Sequence, residues 1–361
     1  MLPAGQYRRA RAEIMSWPGY ATKPLHDLTG VAASASVGVM RLKDESGRFG
    51  LGSFKALGGA YAVARQLANL LARQGIAASA SSADLEGGRF RDATARITVT
   101  CATDGNHGRS VAWGAQRFGC RCVIFVHGGV SQARVDAITA FGAEVRHVPG
   151  TYDDSLRAAA QVAQAEGWIV VSDTSWPGYT ETPRAVMQGY RLMPDEAADQ
   201  WQGTPPTHVF IQGGVGGVAA AVSVQLRTRF DPVPRLIVVE PDRAACLLAS
   251  ARAGALTAAG GPLDTVMAGL ACGEPSLLAW QELERAAFAF VAIPDGAAID
   301  AMRTLAGLGI VSGESGAAGF AGFVQAAADP DALGLDPGSR VLLFSTEGAT
   351  DLAQYARLTA G

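Results

Sequence analysis

Gly52-Ser53-Phe54-Lys55-Ala56 sets a lysine where a turn runs into a helix, a placement in which an ε-amine can form a Schiff base with an aldehyde. An ammonium is a poor nucleophile until burial or a neighbouring cation lowers its pKa, so a reactive Lys55 is expected at a sheltered helix start. Most lysines are solvated surface charges, and Lys55 gains meaning only from its companions. One is Gln212-Gly213-Gly214-Val215-Gly216-Gly217-Val218, which follows a predicted strand and opens a predicted helix. Such a loop aims backbone N–H groups and the positive helix end at an anion. No Lys-Ser or Lys-Thr follows the glycines, so it is not a Walker A loop. Gly214, Gly216 and Ala219 fit Gly-x-Gly-x-x-Ala with Glu240 ending the next predicted strand. A dinucleotide site therefore stays open beside a phosphate site, and beside tight helix packing without a ligand.

The second companion is Ala102-Thr103-Asp104-Gly105-Asn106-His107-Gly108-Arg109, again between a strand and a helix. Its small residues let a ligand approach the backbone, whose N–H groups can hold a substrate carboxylate. The Asn106 amide can bond a phenolic oxygen and Asp104 can act as a base. The plainer reading is helix capping by Asp104 or Asn106, with His107 packed or capping. A dinucleotide enzyme has no use for Ser-Phe-Lys, whereas a phosphorylated aldehyde cofactor needs a lysine, an anion loop and ring-binding groups together.

These residues need a frame. From residue 97 onward short, mostly apolar β-branched runs alternate with amphipathic stretches, the pattern of βαβ units in a parallel sheet covered on both faces. Strands are predicted at 97–101, 122–126, 144–148, 168–172, 208–212, 236–240, 288–292 and 341–345, and helices at 53–73, 107–118, 152–166, 183–201, 216–229 and 314–328. The polar stretch 78–95 lacks periodicity and reads as a surface loop. With 361 residues the chain exceeds a usual single core. The expected division is a small α/β lobe of residues 68–149 and a large lobe of residues 1–67 plus 150–361.

The net charge of −3 and the lack of a basic run argue against a nucleic-acid partner. No signal-like apolar core and no run long enough for a membrane span is visible, so a soluble cytoplasmic protein is expected. Five scattered cysteines suggest neither a disulfide scaffold nor a zinc site, and no metal is expected; Cys246 and Cys272 are the one candidate pair.

The combination of Ser53-Phe54-Lys55, Gly105-Asn106-His107 and Gly213 to Gly217 resembles the fold type II family of pyridoxal-phosphate enzymes, which includes threonine and serine dehydratases and the tryptophan synthase β subunit. More of the chain resembles the diaminopropionate ammonia-lyase family. The matching motifs are Lys43-Asp44-Glu45-Ser46-Gly47-Arg48-Phe49-Gly50-Leu51-Gly52-Ser53-Phe54-Lys55, Thr103-Asp104-Gly105-Asn106-His107-Gly108-Arg109, Asp173-Thr174-Ser175-Trp176-Pro177-Gly178-Tyr179-Thr180, Met187-Gln188-Gly189-Tyr190, Met267-Ala268-Gly269-Leu270-Ala271-Cys272-Gly273 and Ser345-Thr346-Glu347-Gly348.

The resemblance implies two open α/β lobes with the site between them. It implies pyridoxal 5′-phosphate on Lys55, its phosphate on Gly213, Gly214, Val215, Gly216 and Gly217, and its ring against Phe54 and Asn106. Ser345 becomes the candidate partner of the ring nitrogen, with Thr346 a close competitor. It also implies elimination of ammonia from 2,3-diaminopropionate, with Lys55 as base on one face and Asp104 on the other, and Asp173 holding the distal ammonium. An N-cap or turn role is the plainer alternative for Asp173. Thr103, Gly105, His107 and Tyr179 complete the implied substrate site, and a homodimer is implied. Dehydratases of this fold carry a small residue where Asp104 stands, which favours a diamine over serine, threonine or hydroxyaspartate. Glu314 and Ser315 are read as loop supports and Trp176 as packing. A binding protein without turnover is the remote alternative.

Overall fold

Residues 208–212, His-Val-Phe-Ile-Gln, alternate between two hydrophobic clusters, Val209 and Ile211 facing one and Phe210 the other. Period-2 alternation of apolar side chains on both faces belongs to a strand covered on both sides. In the computed structural model, which describes residues 2–150 and 152–360, that strand is β7 of ten. The others are β1 (Leu25–Asp27), β2 (Val39–Asp44), β3 (Thr98–Ala102), β4 (Arg121–His127), β5 (Glu144–Val148), β6 (Ile169–Val170), β8 (Arg235–Pro241), β9 (Ala287–Ile293) and β10 (Arg340–Ser345). They form a six-stranded sheet ordered β1-β2-β10-β7-β8-β9 and a four-stranded sheet ordered β5-β4-β3-β6. Every pairing except β1 with β2 is parallel. The fold is therefore the two-lobed α/β architecture expected from the sequence. The smaller sheet takes its last strand from Ile169–Val170, so a lobe built on it runs past the limit at residue 149.

The helix Lys55–Arg73 joins the two halves. Its Leu57, Ala60, Val63, Leu67 and Leu71 are buried in one cluster with Val99 and Ile124 of the small sheet and Val209 and Leu342 of the large one. Neighbouring helices approach it through glycines. A Cβ on Gly58 would sit 2.3 Å from Tyr190 Cε1, and one on Gly189 would sit 2.0 Å from the Leu57 carbonyl oxygen. Both backbones can lie this close only without a side chain there.

Four expectations need correction. β1 and β2 lie where no strand was expected, because β2 carries Arg41 and Lys43 among its apolar residues. Lys43 is fully buried, its ammonium donating to Glu196 Oε2 at 2.7 Å, Gln200 Oε1 at 2.7 Å and the Lys23 carbonyl at 2.6 Å. Residues 78–95 are not a plain loop: a Ser81–Asp84 capping box starts the helix Ser82–Glu86, and Ala80, Ser82, Leu85 and Thr94 are buried. The helix expected over 183–201 is two, Glu181–Tyr190 and Leu192–Gln200, and the one expected from 314 starts at Ala318. Among the described residues no helix is long and apolar enough to cross a membrane.

Candidate active site

Lys55 is the first residue of its helix, and the turn before it is stitched to the end of β10. The Phe54 N–H donates to the Thr346 carbonyl at 3.0 Å, the Gly348 N–H to the Gly52 carbonyl at 2.9 Å, and Ser53 forms a β-bridge with Glu347. Lys55 Nζ donates to Asp173 Oδ2 at 2.5 Å and lies 5.4 Å from the Phe54 ring centre and 5.7 Å from that of Tyr190. Burial works to lower the lysine pKa, but the Asp173 carboxylate more than reverses it and the net shift is upward. The neighbour is thus an anion, where the sequence suggested burial or a cation. Burial raises the Asp173 pKa, and Lys55 and then His107 overcome it, holding the carboxyl well below the usual range.

β3 ends at Ala102, and Thr103 Oγ1 accepts the N–H groups of Gly105 and Gly108, both at 3.0 Å, which closes the turn and opens the helix Asn106–Phe118. Gly105 has φ +148°, a conformation few other residues adopt. The Asn106 amide donates to Glu347 Oε2, and the Ser315 N–H donates to Glu347 Oε1 at 3.1 Å. His107 Nε2 faces the Val171 carbonyl at 2.7 Å, so that nitrogen carries the proton, while Nδ1 lies 3.8 Å from Asp173 Oδ2. Burial lowers the His107 pKa. Asp104 Oδ1 pairs with His127 Nε2 at 2.7 Å, and this hydrogen bond raises the histidine pKa.

Lys55, Phe54, Thr103 to His107, Asp173, Tyr190, Ser315 and Glu347 line one cleft with Tyr152, Gln212, Gly214 to Val218, Gly269, Leu270, Cys272 and Thr346. Three of its buried polar atoms, His107 Nδ1, Tyr190 Oη and Gln212 Oε1, have no hydrogen-bond partner among the described residues. The N–H groups of Gly214 and Gly216 find no acceptor among the described residues, and Gly216 has φ +94° at the start of the helix Gly217–Arg229. The first-turn N–H groups of a helix have no partner within it. An amine, a nest of free N–H donors and unpaired ring-wall groups in one cleft suit an aldehyde that carries a phosphate and a polar ring.

Three expected residues stand outside this wall, the first being Gly213, whose N–H donates to the Val239 carbonyl at 2.8 Å in the sheet ladder. Ser345 is buried with its hydroxyl on Ser312 Oγ at 2.7 Å, whereas Thr346 lines the cleft and accepts from Gln212 Nε2 at 2.6 Å. The Tyr179 hydroxyl donates to the Val170 carbonyl at 2.8 Å and accepts the Ser172 N–H at 3.0 Å, and its ring stacks on Trp176. Cys246 and Cys272 are free thiols, a correction to their candidate pairing. Cys246 Sγ lies 3.5 Å from the Gly214 carbonyl, and burial pushes the Cys272 pKa up to about 12. Glu347, Tyr190 and Tyr152 were not assigned from the sequence, although Glu347 and Tyr190 lie in the motifs quoted. Arg134, which lines the cleft and donates to Glu314 Oε1 at 2.8 Å, carries no local signal at all.

The chain belongs to the family of pyridoxal-phosphate dependent enzymes, whose sequence profile it matches over residues 17–347. Within that family it is similar to diaminopropionate ammonia-lyase of Escherichia coli K12, at 40% identity covering 97% of this chain and 90% of the relative. Its backbone superposes on the holo form of the Escherichia coli enzyme with a TM-score of 0.90 at 38% identity, covering 99% of this chain and 92% of that one. The structure of that enzyme with an aminoacrylate-PLP azomethine reaction intermediate matches with a TM-score of 0.87 at 38% identity, covering 99% and 92%.

Proposed function

We propose that this protein is a pyridoxal-phosphate-dependent carbon–nitrogen lyase that converts 2,3-diaminopropionate, D, L or both, to pyruvate and two ammonia, consuming one water. The observation that carries the reading is the pair of carboxylates, Asp173 and Asp104, that share one cleft with Lys55, since a substrate with two amino groups needs anions to receive them. The similarity to the diaminopropionate ammonia-lyases supports the same substrate.

Lys55 would hold the cofactor covalently, with its phosphate on the N–H groups of the loop from Gly214 to Gly217, its phenolic oxygen on the Asn106 amide and its ring nitrogen near the Thr346 hydroxyl. Bound there, the cofactor withdraws electrons from the substrate Cα and acidifies its C–H bond. The residues then divide the work. Lys55 would take the Cα proton from one face and Asp104 from the other. Asp173 receives the ammonium at Cβ, which departs as ammonia when the Cβ–N bond breaks. The loop N–H groups at Asn106 and His107 would take the substrate carboxylate, and Phe54 and Tyr190 shield the Lys55 amine from water. Thr346 offers a neutral hydroxyl where an aspartate would hold a proton on the ring, which favours loss of a β-substituent over transamination. The freed enamine hydrolyses to pyruvate and the second ammonia.

A cytoplasmic location and a homodimer accompany this reading, and sizing of the purified protein tests the dimer. The deciding experiment is 2-oxo acid release from D- and L-2,3-diaminopropionate beside L-serine and L-threonine. Selective pyruvate formation from the diamine supports the roles of Asp104 and Asp173. Turnover of the hydroxy amino acids alone would replace the substrate with that of a dehydratase and keep Lys55. Turnover by Lys55→Ala would remove the covalent role of that lysine.

A further inference from the structure

Asp104 has one side-chain partner among the described residues, and it lies outside the cleft wall. β3 and β4 run parallel with Ala102 opposite Phe125, and the Thr103 N–H continues the ladder to the Phe125 carbonyl at 3.1 Å. Two residues beyond that pair on each strand stand Asp104 and His127. The register thus brings the carboxylate and the imidazole together at the carboxyl ends of neighbouring strands, where parallel sheets build their sites.

The ring is itself held. The Gly129 N–H donates to His127 Nδ1 at 3.1 Å, which makes Nδ1 the acceptor nitrogen and leaves the proton on Nε2, facing Asp104 Oδ1 at 2.7 Å. A Cβ on Gly129 would lie 2.9 Å from His127 Cε1, so the backbone can close over the ring only because residue 129 is glycine. Asp104 Oδ2 has no hydrogen bond within the described protein.

We propose that His127 is the positioning residue of the Asp104 base: its Nε2–H, set by Gly129, ties down Oδ1 and presents Oδ2 to the substrate. The inference rests on the reading of Asp104 as a base given above. The donated proton fixes the rotation of the carboxylate and offsets charge on the oxygen that does not react. An ordinary carboxylate on a loop end turns freely about its last bond, and proton transfer tolerates little misplacement. Because Lys55 lies outside this arrangement, His127 serves only the reaction that begins at Asp104. The second strand end therefore selects which stereochemical face the enzyme works on, although it never touches the substrate.

The test uses the cofactor-loaded enzyme with D- and L-2,3-diaminopropionate. Asp104→Asn identifies the enantiomer that depends on Asp104. For that enantiomer His127→Ala lowers kcat about 10- to 100-fold, the usual cost of losing a residue that orients a reacting or ligating group, with KM little changed and with the other enantiomer within about twofold of the wild type. His127→Gln, whose Nε2–H reaches the same oxygen, restores most of the loss. Gly129→Ala, which crowds the ring without removing it, reproduces the His127→Ala pattern more mildly. An equal fall for both enantiomers, or wild-type rates in His127→Ala, would overturn the inference while leaving Asp104 in place. Wild-type rates for both enantiomers in Asp104→Asn would remove the underlying reading instead.

Discussion

Lys55 Nζ and Asp173 Oδ2 meet at 2.5 Å across the junction of the two sheets, the lysine at the head of the helix that joins the lobes and the aspartate three residues beyond β6. The contact keeps the amine an ammonium until a ligand displaces the carboxylate. A lysine ready to react at once would leave this half-buried position without a counter-charge. On the covalent role proposed for Lys55, the aspartate stabilises the cofactor-free protein and slows the first covalent step.

Asp173→Asn removes the anion and leaves the burial, so the Lys55 pKa falls. Loading of the cofactor-free protein at pH 7 then accelerates about tenfold for each unit of pKa lost. The growth of visible absorbance after mixing with pyridoxal 5′-phosphate measures it, and an unchanged rate would show that Asp173 does not govern the amine.

The same pair sets a pH window for the cofactor-free protein. The Asp173 pKa is depressed, so its contribution to stability is complete above about pH 4 and disappears as pH falls through the lowered value. The Lys55 pKa is raised, so its contribution is complete below about pH 10 and is lost only above that. Thermal melts across pH should show an acid limb that is shallower in Asp173→Asn than in the wild type.

Glu347 ties the Asn106 amide on the small lobe to the Ser315 N–H on the large one. Glu347→Gln sets an NH₂ against one of those donors, at about 1–3 kcal/mol for the orphaned group. Denaturant unfolding of the cofactor-free protein should register that loss, and titration of the cofactor should show weaker affinity because the Asn106 amide is no longer held in place. Wild-type affinity would make Glu347 dispensable to the cofactor site.

A sealed charge cluster supports the Lys55 turn from below. Arg48 donates to both oxygens of Glu45 and of Glu196, and Lys43 donates to Glu196. Two cations and two anions balance while buried. Glu196→Gln leaves a cation unmatched, and denaturant unfolding should register a loss of about 3–5 kcal/mol.

Gly189→Ala drives a methyl into the Leu57 carbonyl, 2.0 Å from the ideal Cβ position. Overpacking of this kind costs about 1–3 kcal/mol. Because Leu57 lies two residues from Lys55, activity should fall with stability, and a variant of wild-type stability would mean that the helices separate freely.

The lysine turn, the glycine loop and most strands are legible in the sequence because each is a local pattern of residue types. What escapes local reading depends on phase or on distance. Ser345 and Thr346 adjoin at a strand end, where one step of the pleat turns a side chain to the opposite face; only the second lines the cleft. Asp104 with His127, and Asn106 with Glu347, depend on strand register and lobe docking between remote segments. β2 escapes because its buried Lys43 reads as a surface residue until Glu196 is placed beside it.

β10 lies between β2 and β7, so residues 340–345 fill a gap beside residues 39–44 near the middle of the large sheet. A chain emerging from the ribosome must hold its first strands unpaired on that side until residues 340–345 are made. The four-stranded sheet needs only residues 98–170 and can form early. Such distant pairing is slow and leaves sheet edges bare. Because the turn before Lys55 is fastened to Thr346 and Gly348, the amine is seated only after residues 346–348 have been made.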